Sequence, residues 1–256
     1  MKKVAAIVPA AGLGKRFGQG GNKPFQVLGN KPLVVWVFEV LESINEIAEI
    51  IPVFKKDDMA LGCDLLEKFK FSKVKRIAPG GKERQDSVYG ALALIDKETD
   101  VVLIHDGVRP LVDRDLIERA IRELLIPPHP PLLKGGEGGF DGVVVGVPLK
   151  DTIKEVRSQV SGVRRKGEEI IVKKTLNRNV LWAIQTPQVF KYSVLMKAYR
   201  KAMDERFYST DDSAIVEKYG GKVKAIMGSY SNIKITTPED LDIAELLLRK
   251  RAESIS

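Results

Sequence analysis

Cysteine and histidine are almost absent from this chain of 256 residues. The single cysteine, Cys63, excludes an internal disulfide and any thiolate metal cage. We expect it to pack in or near an apolar helix face, because no histidine lies close enough in sequence to activate it as a nucleophile. The two histidines, His105 and His129, are too few for a metal site built on imidazole ligands. Disulfide scaffolds and metal centres of thiolate or imidazole type are therefore excluded.

Long hydrophobic runs are missing as well. No stretch approaches the roughly 18 consecutive apolar residues of a membrane span. The chain begins with Met-Lys-Lys and a strand, and we see no cleavable hydrophobic leader. A hydrophobic content of 44% and a charged content of 30% are typical of globular proteins. We therefore predict a single domain over residues 1–256, located in the cytoplasm and without a membrane partner.

Acidic residues are too few to balance the lysines and arginines, and the net charge is +8. Such an excess can indicate nucleic-acid binding, but no basic run interleaved with aromatic residues is visible. Phosphorylated small substrates explain the same sign equally well. Charge alone therefore decides nothing, and we predict no nucleic-acid partner.

The most informative stretch lies near the start of the chain. Val4–Val8 is a short apolar run typical of a buried parallel strand, and a loop with small residues and two glycines follows it directly. Glycines let a backbone approach a ligand closely, and their N–H groups can converge on an anion. Two cations, Arg16 and Lys23, add fixed positive charge at the same place. This pattern predicts a phosphate cradle formed by Ala10, Ala11, Gly12, Gly14, Arg16 and Lys23.

Two common phosphate motifs do not fit this loop. The dinucleotide fingerprint needs GxGxxG, and Phe17 stands where the third glycine should fall. The P-loop needs GxxxxGK[ST], and no window from Gly12 to Lys23 supplies it. An ordinary glycine-rich turn is the plainest alternative for GxG alone.

Strands and helices alternate along the rest of the chain, which predicts an α/β fold with a mostly parallel, Rossmann-like sheet covered by helices on both faces. The predicted strands are Val4–Val8, Ile47–Phe54, Val74–Ala78, Val101–Ile104, Val143–Val147, Leu181–Phe190 and Val223–Met227. The predicted helices are Lys31–Ile44, a helix from Asp57 or Asp58 to about Lys68, Glu83–Ile95, a helix capped by Asp113 and ending near Ile126, Tyr192–Glu205, Asp212–Tyr219, and a last helix opened by Thr237, Pro238 and Asp240.

Ligands of such sheets bind beyond the carboxyl ends of the strands. Three loops fall at that edge, namely Pro9–Lys23, Gly80–Ser87 and His105–Pro110. They are far apart in sequence, yet the topology should bring them together. We therefore expect one shared site there.

Two segments interrupt the alternation. Residues 127–142 are rich in proline and then glycine and have no periodicity, which favours a flexible surface insertion over a functional lid. Residues 148–180 contain short β-prone runs and many lysines and arginines, which predicts a projecting β-arm with a largely solvated surface.

Taken together, the motifs resemble a known family, the 2-C-methyl-D-erythritol 4-phosphate cytidylyltransferases. The matching pieces, in chain order, are PAAGLGKRFG, NKPF, GGKERQDSV, HDGVRP, PLKDTIK, LNRNVLW, QTPQVF, STDDSA and SNIKITTPEDL. The resemblance implies transfer of a cytidylyl group from CTP to a polyol phosphate with release of pyrophosphate. It also implies a Mg²⁺ ion and a homodimer in which the arm of one subunit completes the site of the other.

The resemblance also assigns roles to residues of this chain. The implied catalytic residues are Arg16, Lys23, Arg178 and Lys234. The implied nucleotide-binding residues are Ala10, Ala11, Gly12, Gly14, Arg16, Lys23, Gly80, Gly81, Ser87 and Asp106. The implied acceptor-binding residues are Asp106, Gly107, Arg109, Thr152, Arg178, Thr186, Thr210 and Lys234, with Asp106 also implied for the metal.

The sequence departs from the family at a few positions. Lys82 stands where the family often has an acidic residue, and Gly107 stands where alanine is frequent. The arm is also longer than usual between Thr152 and Arg178, and its extra basic residues, Arg164–Lys166, are expected to be solvated. Side-chain contacts at position 82 and the reach of the arm are therefore open.

The chemistry suits these residues. Attack of a phosphate monoester on an α-phosphate joins two anions and spreads negative charge over the transferring group. Cations and precise positioning are then the main catalytic needs, and no protein nucleophile is required.

Three other functions remain open at this point. A cytidylyltransferase for ribitol 5-phosphate or a related polyol phosphate would share the loops. A non-catalytic nucleotide-binding regulatory protein could share the fold, because fold does not determine function. Nucleic-acid binding has the basic arm as its support.

Overall fold

The structure, a computed structural model, describes residues 2–12, 22–126, 139–157 and 170–253. Its strands are β1 (Val4–Pro9), β2 (Val27–Leu28), β3 (Lys31–Pro32), β4 (Ile47–Phe54), β5 (Ala78–Pro79), β6 (Val101–Ile104), β7 (Gly142–Pro148), β8 (Lys154–Arg157), β9 (Ile171–Thr175), β10 (Trp182–Lys191) and β11 (Val223–Met227). Its α-helices are α1 (Leu33–Glu42), α2 (Met59–Phe69), α3 (Arg84–Leu92), α4 (Arg114–Leu125), α5 (Tyr192–Asp204), α6 (Asp212–Lys218) and α7 (Pro238–Glu253).

The main sheet has the strand order β11-β7-β10-β6-β1-β4-β5. Strand β10 runs antiparallel to both of its neighbours, and the other pairs are parallel. The prediction of a mostly parallel sheet is confirmed. Strand β1 lies between β6 and β4, so the loop that follows it emerges at the middle of one sheet edge.

Both faces of the sheet are covered by helices, as predicted. Strand β1 shows why, since Val4, Ala6 and Val8 pack into one core cluster while Ala5 and Ile7 pack into the other. Residues of α1, α2 and α4 fill the first cluster, and residues of α3, α5 and α6 fill the second. A strand that is apolar at every position needs both layers.

Several helix starts follow from local capping. Asp113 caps α4 as predicted, and its carboxylate accepts a hydrogen bond from the Leu116 N–H at 2.8 Å. The Asp240 carboxylate accepts from the Thr237 N–H at 2.8 Å, in the box position that the sequence indicated. Asp58 occupies the N-cap position of α2, but its side chain makes no capping hydrogen bond there.

Three predicted elements were wrong in their bounds, and one of them is helix α3, which ends at Leu92 and not at Ile95. Residues 31 and 32 pair with β2 as a short hairpin, and helix α1 therefore begins at Leu33 and not at Lys31. Val74 forms an isolated bridge to Ile50, and the paired strand is Ala78–Pro79. A short run of β-prone residues can form a single β-bridge or a paired strand, and the sequence alone does not distinguish the two.

The two interruptions begin and end as follows. Strand β7 begins at Gly142, and the Asp141 N–H donates to the Lys222 carbonyl at 2.7 Å, so the predicted insertion 127–142 extends too far at its end. Residues 127–138 lie outside the described part. Strands β8 and β9 pair with each other as a separate antiparallel ribbon within the predicted arm, and residues 158–169 are likewise outside the described part.

Cys63 is exposed on α2 and does not pack in an apolar face, which corrects the sequence expectation. Helix α2 turns Gly62 and Leu65 inward, and position 63 falls on its outer side. Within the described ranges, no helix combines the length and the apolar character needed to cross a membrane.

Candidate active site

A cavity of about 430 Å³ lies beyond the carboxyl ends of β1, β5 and β6. It is lined by Pro9, Ala10, Ala11, Gly12, Lys23, Pro24, Gly81, Lys82, Glu83, Arg84, Ser87, Asp106, Val108, Lys234 and Thr236. The three loops that the sequence placed at this edge therefore meet in one cavity. A fourth segment, around Lys234, closes it.

Backbone hydrogen bonds hold these loops together. The Gly107 N–H donates to the Pro9 carbonyl at 3.1 Å and ties the loop after β6 to the loop after β1. The Ile235 N–H donates to the Val108 carbonyl at 2.9 Å and brings the Lys234 segment beside Asp106. The cavity is thus assembled by main-chain contacts between distant parts of the chain.

The glycines after β5 are required by close packing. A Cβ on Gly80 would lie 2.5 Å from the Ala11 Cβ, and a Cβ on Gly81 would lie 2.4 Å from the Asp86 Cβ. The Ser87 hydroxyl accepts from the Gly81 N–H at 3.0 Å and donates to the Glu83 carbonyl at 3.1 Å. This loop therefore presents backbone groups to the cavity in a fixed arrangement.

Asp106 is the centre of charge in the cavity wall. Its Oδ2 lies 2.7 Å from Lys234 Nζ and 3.7 Å from Arg109 Nε, while its Oδ1 lies 3.5 Å from Arg84 Nη2. Burial alone would raise the pKa of Asp106, but these three cations outweigh burial and hold that pKa well below its usual range. Asp106 is therefore a carboxylate whenever the protein is near neutral pH.

A chain of buried hydrogen bonds holds the backbone of Asp106. The Asp106 N–H donates to Thr186 Oγ1 at 3.0 Å, Thr186 Oγ1 lies 3.1 Å from His105 Nδ1, and His105 Nε2 lies 3.2 Å from the Arg109 carbonyl oxygen. A carbonyl can only accept, so His105 holds its proton on Nε2 and accepts from the Thr186 hydroxyl at Nδ1. Complete burial lowers the pKa of His105 to about 4, which keeps the ring neutral.

Arg109 faces inward and not toward the open cavity. Its Nη1 donates to the Asn232 carbonyl at 2.8 Å, and the Asn232 side-chain amide donates to the Thr186 carbonyl at 2.8 Å. Burial lowers the pKa of Arg109 in spite of the nearby Asp106. Its position suits it to support Asp106 from behind.

Arg84 lines the cavity, and sequence reasoning missed it. Two of its nitrogens donate to the two carboxylate oxygens of Asp212, at 2.8 and 2.7 Å. Burial alone would lower the pKa of Arg84, but the charges of Asp212 and Asp106 outweigh it and raise that pKa. One signal was available, because an arginine at the first position of a helix opposes the helix dipole and needs another reason to be there.

The residues that were predicted from sequence do not all share the cavity. Lys23, Lys234, Asp106, Gly81 and Ser87 line it together with the small residues after β1. Arg16 and Gly14 lie outside the described part of the chain. Thr152 and Arg178 lie within the arm segment 148–180, and Thr210 precedes α6. All three are exposed, and none is among the described residues that line the cavity.

Three further predicted residues pack behind the cavity wall. A Cβ on Gly80 would lie 2.5 Å from the Ala11 Cβ, and a Cβ on Gly107 would lie 3.2 Å from the Ala10 Cβ, so both glycines allow close packing against the loop after β1. Thr186 lies behind Asp106, as described above. Lys82, whose side-chain contacts the sequence left open, lines the cavity. Sequence reasoning missed Glu83 and Thr236, which border predicted residues and also line it.

The carboxylates of the cavity bear on metal binding. Asp106 and Glu83 line it, and the Glu83 side chain is engaged in the capping box that starts α3. In the part of the chain that the structure describes, no group of three or more His, Cys, Asp or Glu side chains is arranged to hold a metal. A single carboxylate still fits Mg²⁺, which is commonly bound by one or two carboxylates together with substrate phosphates.

Comparisons with known proteins identify the family of this chain. The sequence profile of the family IspD, 2-C-methyl-D-erythritol 4-phosphate cytidylyltransferase, matches residues 4–250. The enzyme of that name from Caldanaerobacter subterraneus subsp. tengcongensis is 41% identical over 249 residues, which cover 96% of this chain and 99% of that protein. Its namesake from Clostridioides difficile is 43% identical over 246 residues, covering 95% of this chain and 93% of that protein.

A solved structure shows the same relationship. The 4-diphosphocytidyl-2C-methyl-D-erythritol synthase of Anaerococcus prevotii superposes with a TM-score of 0.77 at 31% identity, and the match covers 97% of this chain and 96% of that one. The family profile, the curated relatives and the fold all agree with the motifs read from the sequence. The chain belongs to the 2-C-methyl-D-erythritol 4-phosphate cytidylyltransferase family.

Proposed function

We propose that this protein transfers CMP from CTP to 2-C-methyl-D-erythritol 4-phosphate, giving 4-diphosphocytidyl-2-C-methyl-D-erythritol and pyrophosphate for isoprenoid precursor synthesis. The observation that carries the proposal is one cavity in which Arg84 and Lys234 contact the carboxylate of Asp106, and which Lys23 also lines. Such an arrangement suits a reaction between two anions, in a chain whose curated relatives bear this activity in their names.

The reaction needs charge stabilisation more than covalent help. The acceptor's phosphate oxygen attacks the α-phosphorus of CTP, the bond to the β-phosphate oxygen breaks, and pyrophosphate leaves. Negative charge grows on the transferring group, and cations that are already fixed in place stabilise it without reorganisation. Lys23 is the described cation of the loop after β1 that would do this, and Arg16 in the same loop is proposed to act with it.

The cytosine ring is proposed to lie against the loop after β5. Gly80 and Gly81 hold the backbone close to Ala11 and Asp86, and Ser87 locks that conformation. Backbone N–H and carbonyl groups at fixed positions can read the donor and acceptor edge of a base. Lys82 borders the same part of the cavity and adds positive charge there.

The polyol of the acceptor is proposed to bind at Asp106. A carboxylate accepts hydrogen bonds from hydroxyl groups, and Lys234 beside it can contact the acceptor's phosphate. Arg109 and Thr186 are proposed to act by holding Asp106 in place, since both contact it from the buried side.

Mg²⁺ is proposed as the cofactor, with Asp106 as its protein ligand and substrate phosphates as further ligands. When bound, the ion would neutralise part of the charge on the polyphosphate. Lys234 and Arg84 already contact Asp106, so the ion would share this carboxylate with them.

The arm is proposed to complete the site of a second copy. Val156 and Val172 lie opposite each other across β8 and β9 and are 42% and 54% exposed, which leaves an apolar face uncovered. The Arg178 guanidinium donates to the Lys150 carbonyl, away from the cavity of its own chain. A homodimer in which this face is buried would let Thr152 and Arg178 reach the partner's acceptor.

Two coarser expectations complete the proposal. We propose that residues 1–256 act as one nucleotidyltransferase domain. We also propose the cytoplasm as its compartment, because its nucleoside triphosphate substrate is available there.

The proposal is tested by incubating the protein with CTP, Mg²⁺ and either 2-C-methyl-D-erythritol 4-phosphate or ribitol 5-phosphate, and measuring pyrophosphate release. We expect rapid release with the methylerythritol compound. A strong preference for the ribitol compound would assign the other acceptor. No release with either, despite CTP binding, would favour a non-catalytic nucleotide-binding protein.

A further inference from the structure

Asp212 has a buried carboxylate, and it is not one of the described residues that line the cavity. Its side chain is 1% exposed, and it lies directly behind Arg84. Both of its oxygens accept from the Arg84 guanidinium, and the Tyr199 hydroxyl also donates to it. Such a two-pronged pair is the geometry in which an arginine side chain is most strictly oriented.

The position of Asp212 is itself fixed by the fold. It is the first residue of α6, where the helix dipole favours a negative charge. The preceding residue, Asp211, caps this helix by accepting from the Ala214 N–H at 3.2 Å. Gln188 on β10 donates to Asp211 and accepts from the Ser213 N–H, which joins the start of α6 to the central sheet.

The Arg84 guanidinium therefore pairs with Asp212 on its buried side, and Arg84 lines the cavity on the other side. Its Nη2 lies 3.5 Å from Asp106 Oδ1, on the opposite carboxylate oxygen from Lys234. The side chain is 27% exposed, which is the part that lines the cavity. Without Asp212, a buried guanidinium would turn fully toward Asp106 to find its charge partner.

We propose that Asp212 is a positioning residue for cytidylyl transfer: it holds Arg84 at the cavity wall, so that Arg84 and Lys234 together orient Asp106 and a fixed positive charge faces the triphosphate. The inference rests on the proposed function and adds Asp212 to its residues. Charges that are oriented before the reaction lower its barrier, and a misplacement of about 1 Å can cost roughly 100-fold in rate.

The test is a double-mutant cycle with Asp212→Asn, Arg84→Lys and the double variant. Asn keeps the size of residue 212 and an acceptor for Tyr199, and Lys keeps the charge of residue 84 without the two-pronged contact. We expect each single variant to lower kcat/KM about 10- to 100-fold, mainly through kcat, and to weaken CTP binding severalfold by calorimetry. We expect the double variant to be no worse than the poorer single variant, because Asp212 acts through Arg84.

Two controls separate positioning from loss of structure. Tyr199→Phe removes one hydrogen bond to Asp212 and leaves its pair with Arg84, so kcat/KM should fall less than about threefold. Leu124 is a residue of α4 whose side chain is buried in the core. Leu124→Ala should lower stability and leave kcat/KM per folded molecule close to that of the wild type. If the Asn variant is insoluble, Arg84→Lys alone decides, and a kcat/KM like that of the wild type would overturn the proposal.

Additive losses in the cycle, or an Asp212→Asn enzyme with unchanged kcat/KM, would also overturn it. The failure of the proposed function looks different, because the wild type would then release no pyrophosphate. In that case the same cycle is measured on CTP affinity. Equal weakening in the two single variants, with no further weakening in the double variant, would still support the positioning role. Unchanged or additive affinities would reject it.

Discussion

Asp106 shows how single residues set the chemistry of this site. Burial of a lone carboxylate is unfavourable, yet here Lys234, Arg84 and Arg109 surround it and keep its pKa low. Two of these cations also bind a second group, because Arg84 pairs with Asp212 and Arg109 donates to the Asn232 carbonyl. The residues of the site are thus linked, and changing one alters the orientation of its neighbours.

The role of Lys234 can be tested against a matched lysine. Lys224 Nζ pairs with Glu123 at 2.7 Å, the same distance that separates Lys234 Nζ from Asp106, but it lies outside the cavity. We expect Lys234→Ala to lower kcat/KM about 100-fold or more, because it removes a cation that is proposed to contact the acceptor's phosphate. Lys224→Ala should leave pyrophosphate release within about twofold of the wild type, because this half-buried ion pair does not line the cavity. Equal effects of the two changes would contradict the assigned role.

His105 should make folding stability depend on pH. Its pKa is about 6.5 when unfolded and about 4 in the folded protein, so the unfolded chain binds the proton first as the pH falls. Stability from this residue is complete above pH 6.5, decreases between pH 6.5 and 4, and is lost below that. We expect a loss of about 3 kcal/mol in the free energy of unfolding over this range.

The measurement is urea unfolding at a series of pH values for the wild type and for His105→Asn. The variant should be less stable at pH 7, because it loses the hydrogen bonds to Thr186 and Arg109. It should also lack this part of the pH dependence, although other groups still titrate. Identical slopes in the two proteins would show that His105 titrates normally in the folded state.

At the scale of elements, the loop after β5 and helix α3 form one unit. The side chains of Glu83 and Asp86 make a reciprocal capping box, and Gly81 packs on Asp86. The same short segment therefore begins the helix, fixes the loop that is proposed to bind the base, and places Arg84 in the cavity wall. Its sequence, GGKERQDSV, reads as one motif for this reason.

Two glycines of this unit provide a matched test. A Cβ on Gly81 would overlap Asp86, whereas a Cβ on Gly90, within α3, would meet nothing within 4 Å. We expect Gly81→Ala to destabilise the protein by about 1–3 kcal/mol and to weaken CTP binding, because the loop must move. Gly90→Ala should stabilise it by about 0.5–1 kcal/mol with unchanged CTP affinity. Thermal unfolding and calorimetric titration with CTP check both, and the reverse order of stability would contradict the packing argument.

At the scale of the whole molecule, the arm is the feature on which the proposed homodimer rests. Arg178 and Thr152 are acceptor contacts only by the family resemblance, and both are exposed within the arm, where the apolar face of Val156 and Val172 is also uncovered. A second copy would bury that face and bring these residues to an acceptor. Symmetric homodimers commonly share sites in this way, since each interface residue then serves twice.

Mixing two inactive variants tests that arrangement. We expect Arg178→Ala and Lys23→Ala each to be nearly inactive, and their mixture to regain up to about a quarter of the wild-type rate, because half of the random dimers contain one intact site. Arg157→Ala, on the same arm, serves as the control and should stay active. A mixture as inactive as its parts would place Arg178 in the site of its own chain or outside the reaction.

Much of the fold could be predicted from the sequence, because its patterns are local. The run Val4–Val8 is apolar throughout and indicates a strand that is buried on both sides, and Asp113 indicates a helix start through its own capping bond. Weaker patterns gave less, since Val74 was assigned to a strand and forms a bridge, and Cys63 was expected inside and is exposed.

The site divides along the same line. The order of residues along the chain determined which loops emerge at one edge of a parallel sheet. It therefore also determined that Lys23, Ser87 and Asp106 would share a cavity. Only the tertiary structure decided which groups face each other there, because charge pairing in a buried place depends on distances that no spacing encodes. It turned Arg109 inward beside Asp106 and paired Arg84 with Asp212, 128 positions away.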